Sequence, residues 1–114
     1  MTIRFAGIVL RASSRQDTAT FYEALGLTLT EHQHGGPYHF EVSPVSPDIV
    51  VEIYTASPTF RRDALIVEVS SIEETLRNIE SYGDWHGDVV HRGELTFVYV
   101  TDPDGRPLML LEKK

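Results

Sequence analysis

The sequence predicts an α+β fold built from two tandem βαβββ modules, about residues 1–57 and 58–114. The first observation is an internal repeat. The second half matches the first at an offset of 57 residues, half the 114-residue chain, with no gap between the anchors. Gly7-Ile8-Val9-Leu10 aligns with Ala64-Leu65-Ile66-Val67, Ser13-Ser14 with Ser70-Ser71, Gly26 with Gly83, and Val51-Glu52-Ile53 with Leu108-Met109-Leu110. The second observation is that each half opens on an apolar branched run, passes through one helical stripe, and ends in alternating strands. The third is size. At 114 residues the chain makes one domain, and either half alone buries too little surface to be stable. Two such units can clasp around a cleft, where small molecules bind.

Each element has a local reason. Ile3 to Leu10 reads as a buried strand, rich in branched residues. Ser13 or Ser14 then caps a helix whose first turn carries Asp17, favourably placed at the positive helix end. Phe21, Tyr22 and Leu25 are expected to supply its apolar face, and Gly26 to stop it in the left-handed conformation. Residues 27–34 suggest a strand, and His34-Gly35-Gly36-Pro37 a turn. Tyr38 to Val42 and Ile49 to Thr55 follow as strands. Ser57 to Asp63 reads as the linker between modules. Ala64 to Val69 opens the second copy as a strand. Ser71 with Glu74 forms a capping box, Ile72, Leu76 and Ile79 the helical stripe, and Gly83 the expected stop. Strands are expected near Val89 to His91, Thr96 to Val100 and Leu108 to Leu111. Asp102-Pro103-Asp104-Gly105 is a tight turn between the last two.

Composition narrows the partners. The net charge of −7 argues against nucleic acid, which needs a basic face, and is compatible with a cationic ligand or with simple solubility. There is no cysteine, so thiolate metal sites and disulfides are excluded. The apolar run Phe5 to Leu10 is far too short to span a bilayer and lacks the features of a secretory signal. No membrane partner is expected, and a cytoplasmic location is the default.

The order βαβββ, duplicated within this length, resembles the vicinal oxygen chelate superfamily of glyoxalases, extradiol dioxygenases, and bleomycin and fosfomycin resistance proteins. The resemblance covers essentially the whole chain. Phe21-Tyr22-Glu23-Ala24-Leu25-Gly26-Leu27 looks like the family's helix-end phrase, and Asp102-Pro103-Asp104-Gly105 like its final hairpin phrase. The stretch Glu31 to Phe40, followed by Val51-Glu52-Ile53-Tyr54, is similar to an uncharacterised bacterial subgroup of the superfamily. The resemblance implies a curved mixed sheet around a cleft between the modules, the glyoxalase/bleomycin resistance fold. It also implies a homodimer, and a divalent metal at the positions held here by Gly7, Glu52, Ala64 and Met109. Of these, only Glu52 offers a ligating oxygen, whereas a divalent ion wants at least three protein ligands. No metal or other cofactor is therefore expected at the family's position.

Glu52 is the residue of greatest interest. Strand alternation puts it on the face of Val50 and Tyr54, which the resemblance turns toward the cleft. A carboxylate among apolar walls would titrate above its ordinary range and act as a base or pair with a ligand cation; the alternative is an ordinary edge-strand glutamate in water. His32, His34 and His39 cluster around one turn, with His91 in a related place in the second module. His32 and His34 form a His-x-His pair, equally readable as exposed histidines near a turn. His39 is expected to approach Glu52 from the neighbouring strand, either for proton transfer or as a satisfied hydrogen-bonded pair. Tyr38, Phe40, Tyr54, Tyr99 and Met109 are the candidate ligand-lining residues. The expected function is metal-independent binding of a small molecule, cationic or aromatic, in the inter-module cleft. The alternative is a lyase, isomerase or dioxygenase-like enzyme using Glu52 and His39 as acid and base or within a non-standard metal site.

Overall fold

The computed structural model describes residues 3–33, 36–44, 47–82 and 86–113. The chain falls into two compact units, residues 7–63 and residues 1–6 with 64–114. In the first, strand β1 (Ile3–Ala12, of which residues 7–12 belong here) leads into helix α1 (Arg15–Leu25), then strands β2 (Thr28–His32), β3 (His39–Ser43) and β4 (Val50–Thr55). The strands lie in the order β2–β3–β4–β1, with β1 and β4 parallel and the other pairs antiparallel. The second unit repeats this with β5 (Ala64–Val69), α2 (Ile72–Ile79), β6 (Val90–Arg92), β7 (Leu95–Thr101) and β8 (Pro107–Lys113). Its order is β5–β8–β7–β6, again with only the first pair parallel. The two units thus share one βαβββ topology, as the sequence repeat predicts. The architecture is α+β. Among the described residues, no helix is long and apolar enough to cross a membrane.

The punctuation residues act where their chemistry predicts. Ser14 caps α1, its Oγ accepting from Asp17 N at 3.1 Å, and Gly26 closes the helix at φ 110°, with its N–H donating to Glu23 O. Ser71 Oγ likewise accepts from Glu74 N at 3.1 Å. A further first-turn amide, Ile72 N, donates to the Glu112 carboxylate on β8 at 2.7 Å, a cap that local sequence does not reveal. Asp102 closes the final hairpin by accepting from Asp104 N and Arg106 N through Oδ1.

One expectation needs correction, and another lies outside the described residues. The buried stripe of α1 runs through Ala19 and half-buried Tyr22, while Phe21 and Leu25 are exposed. Helical spacing sets Arg15, Thr18, Ala19 and Tyr22 toward the sheet and turns Phe21 and Leu25 away. Helix α2 ends at Ile79 and tightens into one 3-10 turn over Glu80–Tyr82; Gly83, the expected stop, lies outside the described residues, as do His34, Gly35 and Trp85.

Each unit packs its helix on one sheet face. In the first, Ala12, Val42 and Ile53 form the core, with Leu10, Tyr22, Leu29, Phe40 and Val51 against it. In the second, Val67, Val69, Ile72, Val98, Val100 and Leu110 do so, with Leu76 and Ile79 closing the helical side. The opposite sheet face therefore carries the polar chemistry in the first unit. In the second, Glu68 lies between Arg4 at 3.0 Å and Lys113 at 3.3 Å. Burial raises its pKa, but Lys113 and Arg4 outweigh that and hold the carboxyl below its ordinary 4.5. A depressed folded-state pKa stabilises above the ordinary value, and the contribution is lost as pH falls through the folded one. Glu68→Gln is thus expected to lower stability by less than about 1 kcal/mol near neutral pH, since the group is partly solvated. The deficit should shrink below the ordinary pKa of 4.5 in urea titrations run at stepped pH.

Candidate functional site

The side of the first sheet facing away from α1 carries two cross-strand rows. Register sets Thr30 opposite Glu41, Glu41 opposite Glu52, and Glu52 opposite Val9. The next row holds His32 opposite His39 and Arg11 opposite Tyr54. Alternation on β3 and β4 puts His39, Glu41, Glu52 and Tyr54 on this one face. Every one of these residues lies within 7–63, so a single unit builds the cluster.

At its centre is His39, only 1 % exposed. Its Nε2 lies 3.1 Å from Glu52 Oε2 and 3.4 Å from Glu41 Oε2, and its Nδ1 lies 3.5 Å from the Pro37 carbonyl oxygen. The ring stacks on Tyr54 with centroids 4.6 Å apart and planes 15° from parallel. His32 reaches Glu41 from the far strand at 3.7 Å. The Arg11 guanidinium sits over the Tyr54 ring at 4.7 Å and over Phe60 at 4.9 Å, making a cation–π layer beside the carboxylates. Glu52 and Glu41 remain 16 % and 30 % exposed, so the carboxylates, rather than the imidazole, meet what comes from outside.

This geometry has a chemical consequence. Two like charges directly opposite on neighbouring strands repel. Here an imidazole nitrogen stands between them, and a positive centre at that nitrogen relieves the repulsion. With its Nδ1 proton directed at the Pro37 carbonyl, a neutral ring would aim a lone pair at both carboxylates. A cation held at this point would be favoured by both carboxylates.

Of the residues singled out in the sequence, the structure brings Glu52, His39 and Tyr54 together. Phe40 is on the other face, packed in the α1 core with the Arg15 guanidinium 5.2 Å from its ring. The reason is the two-residue strand period, which sends the neighbour of His39 to the opposite side. Tyr38 is exposed at the entry to β3. Tyr99 and Met109 belong to the other unit, where they are register partners on β7 and β8 and Tyr99 meets Phe97 edge-on. His91 bonds Thr96 Oγ1 at 3.0 Å in that same unit. Glu41 is the member that sequence reading misses. Its signal is parity with His39 on one strand, but its register against Glu52 emerges only from the fold.

The four positions that the resemblance marks for a metal do not fit one. Gly7 and Ala64 carry no donor, and Met109 offers only a thioether. A side chain at position 7 is also barred by the backbone. Gly7 has φ +151°, and a Cβ built there would sit 1.9 Å from the Val50 carbonyl oxygen on the paired strand.

No protein-family model matches the chain, and no curated protein matches it by sequence. Solved structures do match. A hypothetical protein from Bacillus halodurans superposes with a TM-score of 0.71 at 17% identity, covering 100% of this chain and 96% of that one. A glyoxalase/bleomycin resistance protein/dioxygenase superfamily member from Vibrio splendidus gives 0.69 at 13% identity over 99% and 100%. Methylmalonyl-CoA epimerase from Mycobacterium tuberculosis gives 0.65 at 14% identity over 98% and 87%. Identities this low speak for the fold, and activity has to be argued from the site itself. The chain has the glyoxalase/bleomycin resistance fold.

Proposed function

We propose that this protein binds a small cationic or cationic-aromatic molecule against the Glu41–Glu52–Tyr54 face, without the metal centre of its superfamily. The observation that carries this is the pairing of Glu41 and Glu52 on adjacent strands, partly open and flanked by the Tyr54 ring. Carboxylates attract an ammonium, and the aromatic edge beside them suits a flat apolar group. The acidic balance of the whole chain, −7, raises the local concentration of such ligands. The homodimer and cytoplasmic setting implied by the resemblance belong to the same proposal; sedimentation at micromolar concentration tests the dimer.

A second reading rests on the 3.1 Å contact between His39 Nε2 and Glu52 Oε2. Buried His39 would hold and orient Glu52, and the more exposed Glu52 would exchange a proton with a substrate. This makes the protein an acid–base enzyme on the same face.

The test is a thermal-shift and calorimetric screen of cationic aromatic compounds against wild type and Glu52→Gln. Binders should stabilise the wild type and lose about 10- to 100-fold in affinity, or about 1.4–2.7 kcal/mol, in the variant. Equal affinity for both proteins would remove Glu52 from the site. Retained affinity with lost turnover would favour the enzyme.

A further inference from the structure

We propose that His39, Glu41 and Glu52 form a divalent transition-metal site, with zinc the best-fitting ion, distinct from the position its superfamily uses. The site shares only Glu52 with that position. It lies wholly on β3 and β4, and its occupancy is independent of whether an organic ligand binds the same face.

The donor geometry is the first argument. One nitrogen and two carboxylate oxygens, one from each residue, lie within 4.8 Å of one another. A tetrahedral zinc with bonds of about 2.0–2.2 Å spaces its ligand atoms roughly 3.3–3.6 Å apart. The two distances from His39 Nε2, 3.1 and 3.4 Å, are close to that spacing, and the two carboxylate oxygens, within 4.8 Å of each other, would close on the ion by side-chain rotation. The donor set, one imidazole and two carboxylates, suits zinc and its neighbours better than magnesium or calcium, which prefer oxygen alone.

The supporting contacts are the second argument. A metal-binding histidine commonly donates its other ring N–H to a carbonyl or carboxylate, which fixes the tautomer and aims the lone pair. His39 Nδ1 faces the Pro37 carbonyl oxygen at 3.5 Å, leaving Nε2 directed at the two carboxylates. Stacking on Tyr54 fixes the ring plane, and His32 steadies Glu41 from β2. Burial of His39 and partial exposure of both glutamates give a closed floor and an open mouth. A fourth ligand position is thereby left for water or for a donor atom of an incoming molecule.

The rival reading is a hydrogen-bonded cluster without an ion, in which the imidazole donates to the carboxylates. Tag-free protein titrated with zinc alone by calorimetry, in two buffers of different ionisation enthalpy, separates them. Zinc is expected to bind at about one ion per chain, with a heat that the two buffers correct for any proton exchange. Cobalt(II) should give the intense visible absorption of a four- or five-coordinate ion rather than the pale spectrum of the hexa-aqua ion. Glu41→Gln and Glu52→Gln should each weaken zinc binding at least about 100-fold, the loss of a direct ligand exceeding that of a supporting contact. Both substitutions preserve side-chain size, and circular dichroism confirms their folding. His32→Ala should weaken binding less than either. Absence of zinc binding by the folded wild type would overturn the proposal. So would binding that survives both glutamine substitutions, since the ion would then be on surface histidines. These outcomes involve no organic ligand, so the small-molecule reading stands or falls separately. If both hold, zinc and a cationic ligand should compete for the same carboxylates.

Discussion

Gly7→Ala is expected to cost more than about 3 kcal/mol, a loss large enough to unfold a marginal domain. Two effects add. The first is conformational, because φ +151° is a region that L side chains rarely adopt. The second is steric. The new Cβ would meet the Val50 carbonyl oxygen at 1.9 Å, where backbone rather than a flexible side chain must yield. Position 7 is register partner to Val50 in the parallel β1–β4 pair, so relief means parting those strands. That pair carries Val9 and Ile53, both almost fully buried, so the strain reaches the core. Gly26→Ala is the matched control. It too has positive φ, at 110°, but no atom stands within 4 Å of its would-be Cβ, so only the backbone term of about 1 kcal/mol applies. Urea denaturation with m-values compared measures both. A Gly7→Ala loss no greater than that of Gly26→Ala would mean that β1 and β4 are not paired as described. The same argument bars a histidine, like any other side chain, at position 7.

The parts of this fold that were readable in the sequence are those specified by local chemistry. Ser14, Ser71, Gly26 and Asp102 each satisfy or redirect backbone groups within a few residues of themselves, so their positions alone announce helix starts, a helix stop and a hairpin. The repeat then doubles the evidence. What was not readable depends on register or on distant partners. Glu112 capping α2 from β8 is invisible to any local window. Glu41 joins the cluster only because β3 pairs with β4 such that it opposes Glu52. Phe40, as an aromatic, is a candidate lining residue in the sequence, although strict alternation from His39 sends it to the core, where it is. Phe21 and Leu25 are likewise apolar enough to pack, but the buried stripe of α1 runs through Ala19 and Tyr22, and helical spacing turns both of them away from it.

Removing the imidazole at the centre of the cluster is the other change with a large expected effect. His39→Ala should destabilise the protein by about 2–4 kcal/mol through three losses acting together. A buried ring leaves a cavity, Tyr54 loses its stacking partner at 4.6 Å, and Glu41 and Glu52 face each other without the nitrogen between them. Shape and charge can be separated. His39→Phe keeps a ring of similar outline on Tyr54 while removing Nε2, so the part of the loss it retains is electrostatic. The electrostatic part should then fall when one carboxylate is neutralised. In the background of His39→Phe, Glu52→Gln is expected to be neutral or stabilising, whereas in wild type it removes a 3.1 Å charge-assisted contact and destabilises. That reversal of sign is the signature of a coupled site, and a double-mutant cycle by urea denaturation should return an interaction energy of about 1 kcal/mol or more. Additivity within about 0.5 kcal/mol would show that His39 is held by packing alone. In that case the imidazole would be a core residue that happens to lie beside two glutamates. Coupling instead would mean that the His39 nitrogen and the two carboxylates act as one polar unit beyond what packing requires, and such units are candidates for chemistry or binding.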